Sequence, residues 1–126
     1  MSENEWSEPL PENCPPTDAA DPDDRIFYRL IATNPPTPGD FVSFRILFPA
    51  KVIPESECVV RALSVHDDLQ HAKKKTMVGR FQSYHVAEMT LPKGCGLVKK
   101  TRSRHHWSWW MRKSFNPLNH YKTVEQ

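Results

Sequence analysis

Glycine, cysteine and long apolar runs are all scarce in this sequence. The chain has four glycines and three cysteines in 126 residues, against twelve prolines. No stretch approaches the roughly 18–20 consecutive apolar residues that a membrane-spanning helix needs, and the N-terminus lacks the basic and apolar regions of a secretory signal peptide. We therefore expect a cytoplasmic protein with no membrane partner.

The cysteines and histidines show no spacing typical of a known site. Cys14, Cys58 and Cys95 are an odd number, lie far apart and form no C-x-x-C pair, which indicates neither a disulfide framework nor a zinc knuckle. We expect all three to stay reduced. The histidines contain no H-E-x-x-H pattern and Ser64 has no G-x-S-x-G context, so neither a metal site nor a serine nucleophile is predicted.

The formal net charge of +2 is the sum of two segments of opposite sign. Residues 1–25 carry eight acids and one base, a net of −7, whereas residues 26–126 carry sixteen bases and seven acids, a net of +9. Lysine and arginine attract phosphates, so a basic body of this kind favours an anionic partner. Nucleic acid or another polyanion is the partner that the charge predicts.

The first 24 residues combine eight carboxylates with five prolines, and Trp6 and Leu10 are their only bulky apolar side chains. Such a segment buries too little apolar surface to offset its chain entropy, so we predict a disordered acidic tail over residues 1–24. Two roles stay open for it. It is either a solubilising tail or a segment that docks on the basic body or on a protein partner through Trp6.

The rest of the pattern predicts one basic domain over residues 25–117 and a C-terminal tail over 118–126. Residues 26–33 are β-branched and aromatic, which is typical of a buried strand, and Asn34-Pro35-Pro36 ends it. Further elements follow in order: a short helix after Thr37, a strand over 58–65, a helix over 68–77, a strand over 81–91, and a long strand or bent pair over 97–111. The fold class is α+β, a single small domain with a mixed sheet in β-α-β-α-β-β order.

The most distinctive local composition lies between Lys93 and Lys113, where seven positive charges and no acid are interleaved with histidines and tryptophans. Cations bind phosphates and exposed indoles stack on bases, so the mixture favours nucleic acid. Alternatively, the tryptophans form the inward face of a strand and the cations a solvated rim. With a lysine run near the end of the predicted helix, the candidate nucleic-acid contacts are Lys73, Lys74, Lys75, Lys99, Lys100, Arg102, Arg104, Trp107 and Trp110.

Arg29 is the one charged residue in the first predicted strand. A buried guanidinium needs an anionic or carbonyl partner, because an unpaired buried charge is strongly destabilising. A structural ion pair with Glu88 or Asp40 would satisfy it. The other interpretation is a clamp on a phosphate or carboxylate ligand, for which the planar guanidinium fork is well suited.

Three short motifs resemble the core of small bacterial ADP-ribosyltransferase-like, toxin-type domains. They are Phe27-Tyr28-Arg29-Leu30, Leu63-Ser64-Val65 and Tyr84-His85-Val86-Ala87-Glu88, within about residues 26–110. The resemblance implies that Arg29 contacts the phosphates or ribose of NAD, that Ser64 supports its nicotinamide side, and that a later residue orients the attacked ribose. Glu88 lies on the strand before the one that carries the family's glutamate. That later strand has His106 instead.

The chain is also similar to short bacterial proteins that share an F-Y-R-L…N-P-P-T…D-F opening and a His/Trp-rich ending. The leading hypothesis is a small basic module that binds nucleic acid or another polyanion. The alternatives are an NAD-dependent enzyme that uses Arg29, Ser64 and either Glu88 or His106, and an accessory subunit that docks on proteins through its acidic tail. Whether the protein is an enzyme is left open at this stage.

Overall fold

A six-stranded sheet is the centre of the structure, a computed structural model that describes residues 5–124. The strands are β1 (Arg25–Ile31), β2 (Leu63–His66), β3 (His85–Leu91), β4 (Gly96–Lys100), β5 (His106–Met111) and β6 (Lys122–Val124). The helices are short: α1 (Phe44–Leu47), α2 (Glu57–Val60) and α3 (Leu69–Lys75), with single 3-10 turns at Pro38–Phe41, Gly79–Phe81 and Pro117–Asn119.

The strands lie in the order β4-β5-β2-β1-β3-β6, and every neighbouring pair is antiparallel. The α+β class is therefore confirmed, but the predicted mixed sheet is wrong. The helical crossover through α3 does connect two strands that run in the same direction, β2 and β3. Because β1 lies between them and runs the opposite way, no parallel pair forms.

Local capping signals explain where the helices begin. Asp68 accepts a hydrogen bond from the His71 backbone N–H and starts α3, as the sequence predicts. Ser56 does the same for Val59 at the start of α2. The strand predicted over residues 58–65 is therefore a helical turn followed by a strand that begins only at Leu63.

The C-terminal half of the sheet agrees with the prediction in one place and departs from it in another. Residues 97–111 form two strands, β4 and β5, as in the predicted bent pair rather than one long strand. Beyond residue 117, β6 pairs with β3 through Lys122 and Glu88, so the sheet continues into the predicted C-terminal tail.

The disordered acidic tail is not confirmed, because residues 5–24 lie against the body. Ala20 forms an antiparallel bridge with Val98 on β4, and the carboxylate of the buried Glu8 accepts hydrogen bonds from the Ser43 backbone and hydroxyl at 2.7 and 2.6 Å. Two surface ion pairs join the opposite charges of the two segments, Lys99 with Asp18 and Arg112 with Glu5. The part of the prediction that concerns residues 1–4 lies outside the described residues.

The expectation of three reduced cysteines is also wrong. Cys14 and Cys58 form a disulfide that ties the N-terminal segment to α2, while Cys95 is free and buried. Burial raises the pKa of the Cys95 thiol to about 12, so it stays protonated. No sequence spacing indicates the pairing, because it depends on the return of the N-terminal segment to the body.

The main core lies on one face of the sheet. Phe27 and Ile31 on β1 pack there with Leu63, Val65 and Trp109, all of them nearly inaccessible to solvent. On the other face, Ala72 of α3 packs against Leu30 and Val86. The two faces thus hold β1 and β2 from both sides and fix the strands that carry the site described below.

Gly96 begins β4 in a conformation that excludes a side chain. Its φ is +143°, and a Cβ there would clash with the backbone oxygen of Trp110. We predict that Gly96→Ala lowers the free energy of unfolding by at least about 3 kcal/mol, because backbone strain and a backbone clash add. Chemical denaturation measures the change.

Gly94 is the matched control for this substitution. It also has a positive φ, +91°, but no neighbouring atom lies within 4 Å of its Cβ position. Gly94→Ala is expected to cost only about 1–2 kcal/mol, from backbone strain alone. Equal losses for the two variants would contradict the close approach of β4 and β5.

Candidate functional site

The sheet opens between its two central strands. The ladder that joins β1 to β2 is limited to the pair Tyr28 with His66. Beyond this pair the strands diverge, and the guanidinium of Arg29 extends from β1 across the opening to donate a hydrogen bond of 2.8 Å to the backbone oxygen of Ser64 on β2. The divergence of the strands is the start of a cleft.

Arg29 is held by carbonyl groups rather than by a carboxylate. Its Nε and Nη2 donate to the Asp40 oxygen at 3.1 and 2.9 Å, and Nη2 also contacts the Val42 oxygen at 3.4 Å. Among residues 5–124, Arg29 forms no ion pair, so neither predicted pairing, with Glu88 or with the Asp40 carboxylate, is present. Burial lowers the pKa of Arg29 to about 10, which leaves the side chain protonated at neutral pH.

The Asp40 side chain bonds its own loop rather than Arg29. Its carboxylate accepts hydrogen bonds from the Ala32 and Thr37 backbone and from the Thr33 hydroxyl. Burial acts to raise the pKa of Asp40, but these hydrogen bonds outweigh it and hold the pKa below its usual value. Asp40 thereby fixes the loop after β1 so that its own backbone oxygen meets Arg29.

Ser64 and His106 meet at the same opening. Ser64 on β2 is exposed, and its Oγ lies 2.9 Å from Nε2 of His106, the first residue of β5. On the other side of the ring, His106 Nδ1 lies 3.0 Å from the Thr101 hydroxyl, which in turn lies 2.9 Å from the Ser108 hydroxyl. The ring is thus positioned from both sides, and one end of this hydrogen-bonded chain faces the cleft.

His106 and its neighbour His66 are uncharged at neutral pH. Burial, reinforced by the nearby Arg102, lowers the pKa of His106 to about 4. Burial and the adjacent His106 and His71 rings lower the pKa of His66 to about 3. The His66 and His106 ring centroids are 5.6 Å apart, and Nδ1 of His66 is buried without a hydrogen-bond partner.

The cleft has a volume of about 470 Å³, within the range of roughly 300–1,000 Å³ common to small-molecule sites. Arg29, Ser64, His66 and His106 form its polar floor. Its walls are largely apolar and include Phe44, Leu47, Ile53, Val59 and Phe81.

Further cations surround the floor. Arg80 lies over the Phe81 ring at 4.4 Å from its centroid and over Phe44 at 5.5 Å, while Lys51 lies 5.9 Å from the Phe44 centroid. Arg102 lines the opposite side and contacts Glu55 at 3.3 Å. Apolar walls with several cations fit a ligand that has both flat rings and negative charge.

The remaining residues predicted from the sequence lie elsewhere. Glu88 faces Tyr28 across the β1–β3 ladder and does not line the cleft. Trp110 is buried and donates its indole N–H to the Cys58 oxygen at 2.9 Å, so it has no face available for stacking. Trp107 is partly buried, donates to Asp67 at 2.8 Å and is covered by the guanidinium of Arg25.

The predicted basic residues do not form one uninterrupted surface. Lys74, Lys100 and Arg104 are exposed, whereas Lys73, Lys75 and Lys99 are partly buried and Lys99 is paired with Asp18. Lys75 contributes to the lowered pKa of His106 but does not line the cleft.

Sequence reasoning found Arg29, Ser64 and His106 but missed other residues of the cleft. Lys51 and Arg80 were not predicted, and His66 was considered only as one of several histidines capable of acid–base chemistry, although each contributes to the lining of the cleft. His66 and Ser64 alternate on β2 with the buried Leu63 and Val65, and this period of two is the one signal that places both on the same face.

Comparison of the chain with models of known families, with curated proteins and with solved structures gave no match. Among residues 5–124, no helix is long and apolar enough to cross a membrane. In the same part of the chain, no group of three or more His, Cys, Asp or Glu side chains is arranged to hold a metal ion.

The two uncharged histidines predict how stability depends on pH. In the unfolded chain a histidine has a pKa near 6.5, above the folded values of about 3 and about 4, so the unfolded state binds more protons as the pH falls below 6.5. The contribution of these two histidines to the free energy of unfolding is therefore fully present above pH 6.5. It decreases towards pH 5, by about 2 kcal/mol for each of the two histidines.

Denaturant unfolding of His66→Gln at several pH values tests this. Between pH 7 and pH 5, the free energy of unfolding of this variant is expected to fall by about half as much as that of the wild type, whatever its stability at pH 7. His120→Gln, at an exposed position, is the control and should keep the full decrease. An unchanged slope in His66→Gln would contradict the burial of an uncharged imidazole.

Proposed function

We propose that the cleft binds a dinucleotide of the NAD type and that the protein is an ADP-ribosyltransferase-like enzyme. The observation that supports this most is the convergence of Arg29, Ser64 and His106, from three different strands, on one cleft. Arg29 and Ser64 lie at the positions that the family resemblance assigns to NAD contacts, and His106 lies on the strand that would carry the family's glutamate. Glu88, the other candidate for the third position, is not part of this proposal.

Arg29 is suited to bind the phosphates or the ribose. Its hydrogen bonds go to backbone oxygens and not to a carboxylate, which leaves it able to bind an anion. Lys51 and Arg80 add positive charge at the cleft wall, and the Phe44 and Phe81 rings offer flat apolar faces for a base or for nicotinamide.

Ser64 and His106 would act at the reacting ribose. The Ser64 hydroxyl is exposed in the cleft and is oriented by His106, so it can support the nicotinamide side of the ligand. Both ring nitrogens of His106 are already hydrogen-bonded, to Ser64 and to Thr101, so the imidazole would act on a ribose hydroxyl through the Ser64 hydroxyl that it positions.

Titration with NAD, followed by calorimetry, tests the proposal together with an assay for release of nicotinamide. Arg29→Lys keeps the charge but loses the planar fork, and we expect it to weaken NAD binding at least tenfold. Ser64→Ala is expected to lower nicotinamide release at least tenfold with a smaller effect on binding.

Arg104→Ala is the matched control, because Arg104 is an exposed arginine that does not line the cleft. It should leave NAD binding unchanged. If the wild-type protein neither binds NAD nor releases nicotinamide, the proposed function is wrong. If Arg29→Lys binds NAD as tightly as the wild type, the site lies elsewhere.

Nucleic-acid binding is the second proposal, supported by exposed Lys74, Lys100 and Arg104 on a body with net charge +9. With Trp110 buried and Trp107 covered, such binding would depend on phosphate contacts rather than base stacking. The affinity for single-stranded oligonucleotides should then fall steeply with salt and show little sequence preference. Absence of binding at low salt would exclude it.

We also propose a cytoplasmic location for the protein. The Cys14–Cys58 disulfide makes this location testable, because disulfides are rare in reducing compartments. If the location is cytoplasmic, thiol trapping at lysis finds Cys14 and Cys58 reduced, in contrast to the disulfide of the structure. A stable oxidised pair would point to an oxidising compartment.

Docking of a protein partner on the N-terminal segment would require displacement of its contacts with Val98 and Ser43.

A further inference from the structure

The cleft wall between Ser43 and Val60 has no core of its own. Residues 44–59, here called the flap, supply much of the apolar lining, with Phe44 and Leu47 among the residues that face the cleft. Every flap residue is at least partly exposed, whereas Ser43 and Val60 on either side are buried. A segment that buries so little apolar surface opens easily unless other parts of the chain hold it. The position of the flap therefore depends on its attachments.

The N-terminal segment is fixed to the sheet at two points that do not involve the flap. Ser7 donates its backbone N–H to the Met111 oxygen on β5 at 2.9 Å. Ala20 exchanges two backbone hydrogen bonds with Val98 on β4, at 2.9 and 2.8 Å. Residues 7–20, here called the strap, are thus held at both ends by the sheet, and whatever the strap holds is held against the body.

The strap holds the flap at both ends of the flap. The Glu8 carboxylate accepts the Ser43 backbone N–H at 2.7 Å and the Ser43 hydroxyl at 2.6 Å, directly before the flap begins. Cys14 forms its disulfide with Cys58, in α2 near the other end of the flap. Because Cys95 is free, this disulfide is the one covalent bond between side chains of the protein.

The flap also contacts the body through noncovalent bonds. Trp110 donates its indole N–H to the Cys58 oxygen at 2.9 Å, so it supports the same end as the disulfide. Arg102 pairs with Glu55 at 3.3 Å, but both side chains are at least one-third exposed, and exposed ion pairs contribute little stability. The disulfide is therefore the strongest attachment of the flap at its Cys58 end.

We propose that the Cys14–Cys58 disulfide is a redox latch: its oxidised form holds the flap against the cleft, and reduction by a dithiol releases it. Both cysteines are partly exposed, so a reductant has access to them, whereas Cys95 is only 1% exposed and stays outside the exchange. This inference goes beyond the proposed function, because it does not depend on which ligand the cleft binds.

The exchange balances with the dithiol as the one co-reactant. A thiolate of the dithiol attacks one sulfur of the Cys14–Cys58 bond, forms a mixed disulfide and displaces the other sulfur as a thiolate, which takes up a proton. The second thiol of the reductant then loses its proton and attacks the mixed disulfide. Two electrons and two protons pass to the protein, and the reductant leaves as a disulfide.

Release of the flap affects the cleft directly. Once the disulfide is reduced, Glu8 still bonds Ser43 at one end, but the Cys58 end keeps only noncovalent contacts. The flap then spends more time away from the cleft, and a ligand that needs its apolar wall binds only the fraction of molecules in which the flap is closed. Reduction therefore weakens ligand binding, and oxidation strengthens it.

Hydrogen–deuterium exchange of the full chain, oxidised and after reduction with dithiothreitol, tests the latch without any ligand. The hydrogen-bonded flap amides of Phe48, Lys51 and Val59 should exchange at least tenfold faster in the reduced form. Amides of the β1–β3 ladder should keep their rates within about twofold. Trypsin cleavage after the exposed Lys51 should accelerate at least tenfold as well.

Two pairs of variants separate the latch from other effects of the reductant. Cys58→Ser should exchange as the reduced wild type does and should not respond to dithiothreitol, whereas Cys95→Ala should keep the full response. Glu8→Gln should speed exchange of the flap further in the reduced form, because an amide has one oxygen where the carboxylate uses two. Glu12→Gln, at an exposed carboxylate of the same strap, should not.

Equal exchange and equal cleavage in the two redox states would overturn the latch. A parallel rise at the β1–β3 amides would overturn it as well, because the disulfide would then stabilise the whole fold rather than the flap. Titration with NAD adds a link to the proposed function. The reduced form should bind NAD at least fivefold more weakly, and equal affinities would overturn control of the cleft. If neither form binds NAD, the proposed function fails, while the exchange rates still decide the latch.

Discussion

The placement of one guanidinium, Arg29, determines the organisation of the site. The two central strands share a single ladder pair and then diverge, which leaves backbone groups of β2 and of the loop after β1 without strand partners. Arg29 bonds the Ser64, Asp40 and Val42 oxygens and so joins the parts of the chain that surround the opening. The same contacts keep a positive charge at the floor of the cleft, where Arg29 forms no ion pair with any carboxylate of residues 5–124. One side chain therefore holds the opening together and gives the cleft its charge.

The sequence predicts this site in part. An arginine in an apolar strand indicates a special environment, and the resemblance brings Ser64 and His106 into the same hypothesis. A carbonyl partner for Arg29 is one of the two kinds that its burial predicts, but the named pairings with Glu88 and the Asp40 carboxylate are wrong, because the structure supplies backbone oxygens instead. A carbonyl belongs to every residue and carries no sequence signal, so only the path of the loop at residues 40–42 shows which ones are available.

In the fold as well, features set by neighbouring residues are predictable from the sequence, whereas contacts between distant segments are not. The α3 start at Asp68 is predictable because the capping group and the helix are neighbours in sequence. The start of α2 is missed because Val59 and Val60 suit a strand as well as a helical turn. The β1–β3 pairing, the Cys14–Cys58 pair and the contact of Glu8 with Ser43 each join segments more than thirty residues apart, which no local pattern specifies.

The N-terminal segment also affects how the molecule behaves towards other copies of itself. β4 is an edge strand, and an uncovered edge presents backbone donors and acceptors to which another chain can add. Ala20 occupies that position by exchanging two hydrogen bonds with Val98, at 2.9 and 2.8 Å, and acidic side chains lie on either side of it. The segment therefore protects the sheet from edge-to-edge aggregation, so the basic body alone is not a self-sufficient unit of this fold.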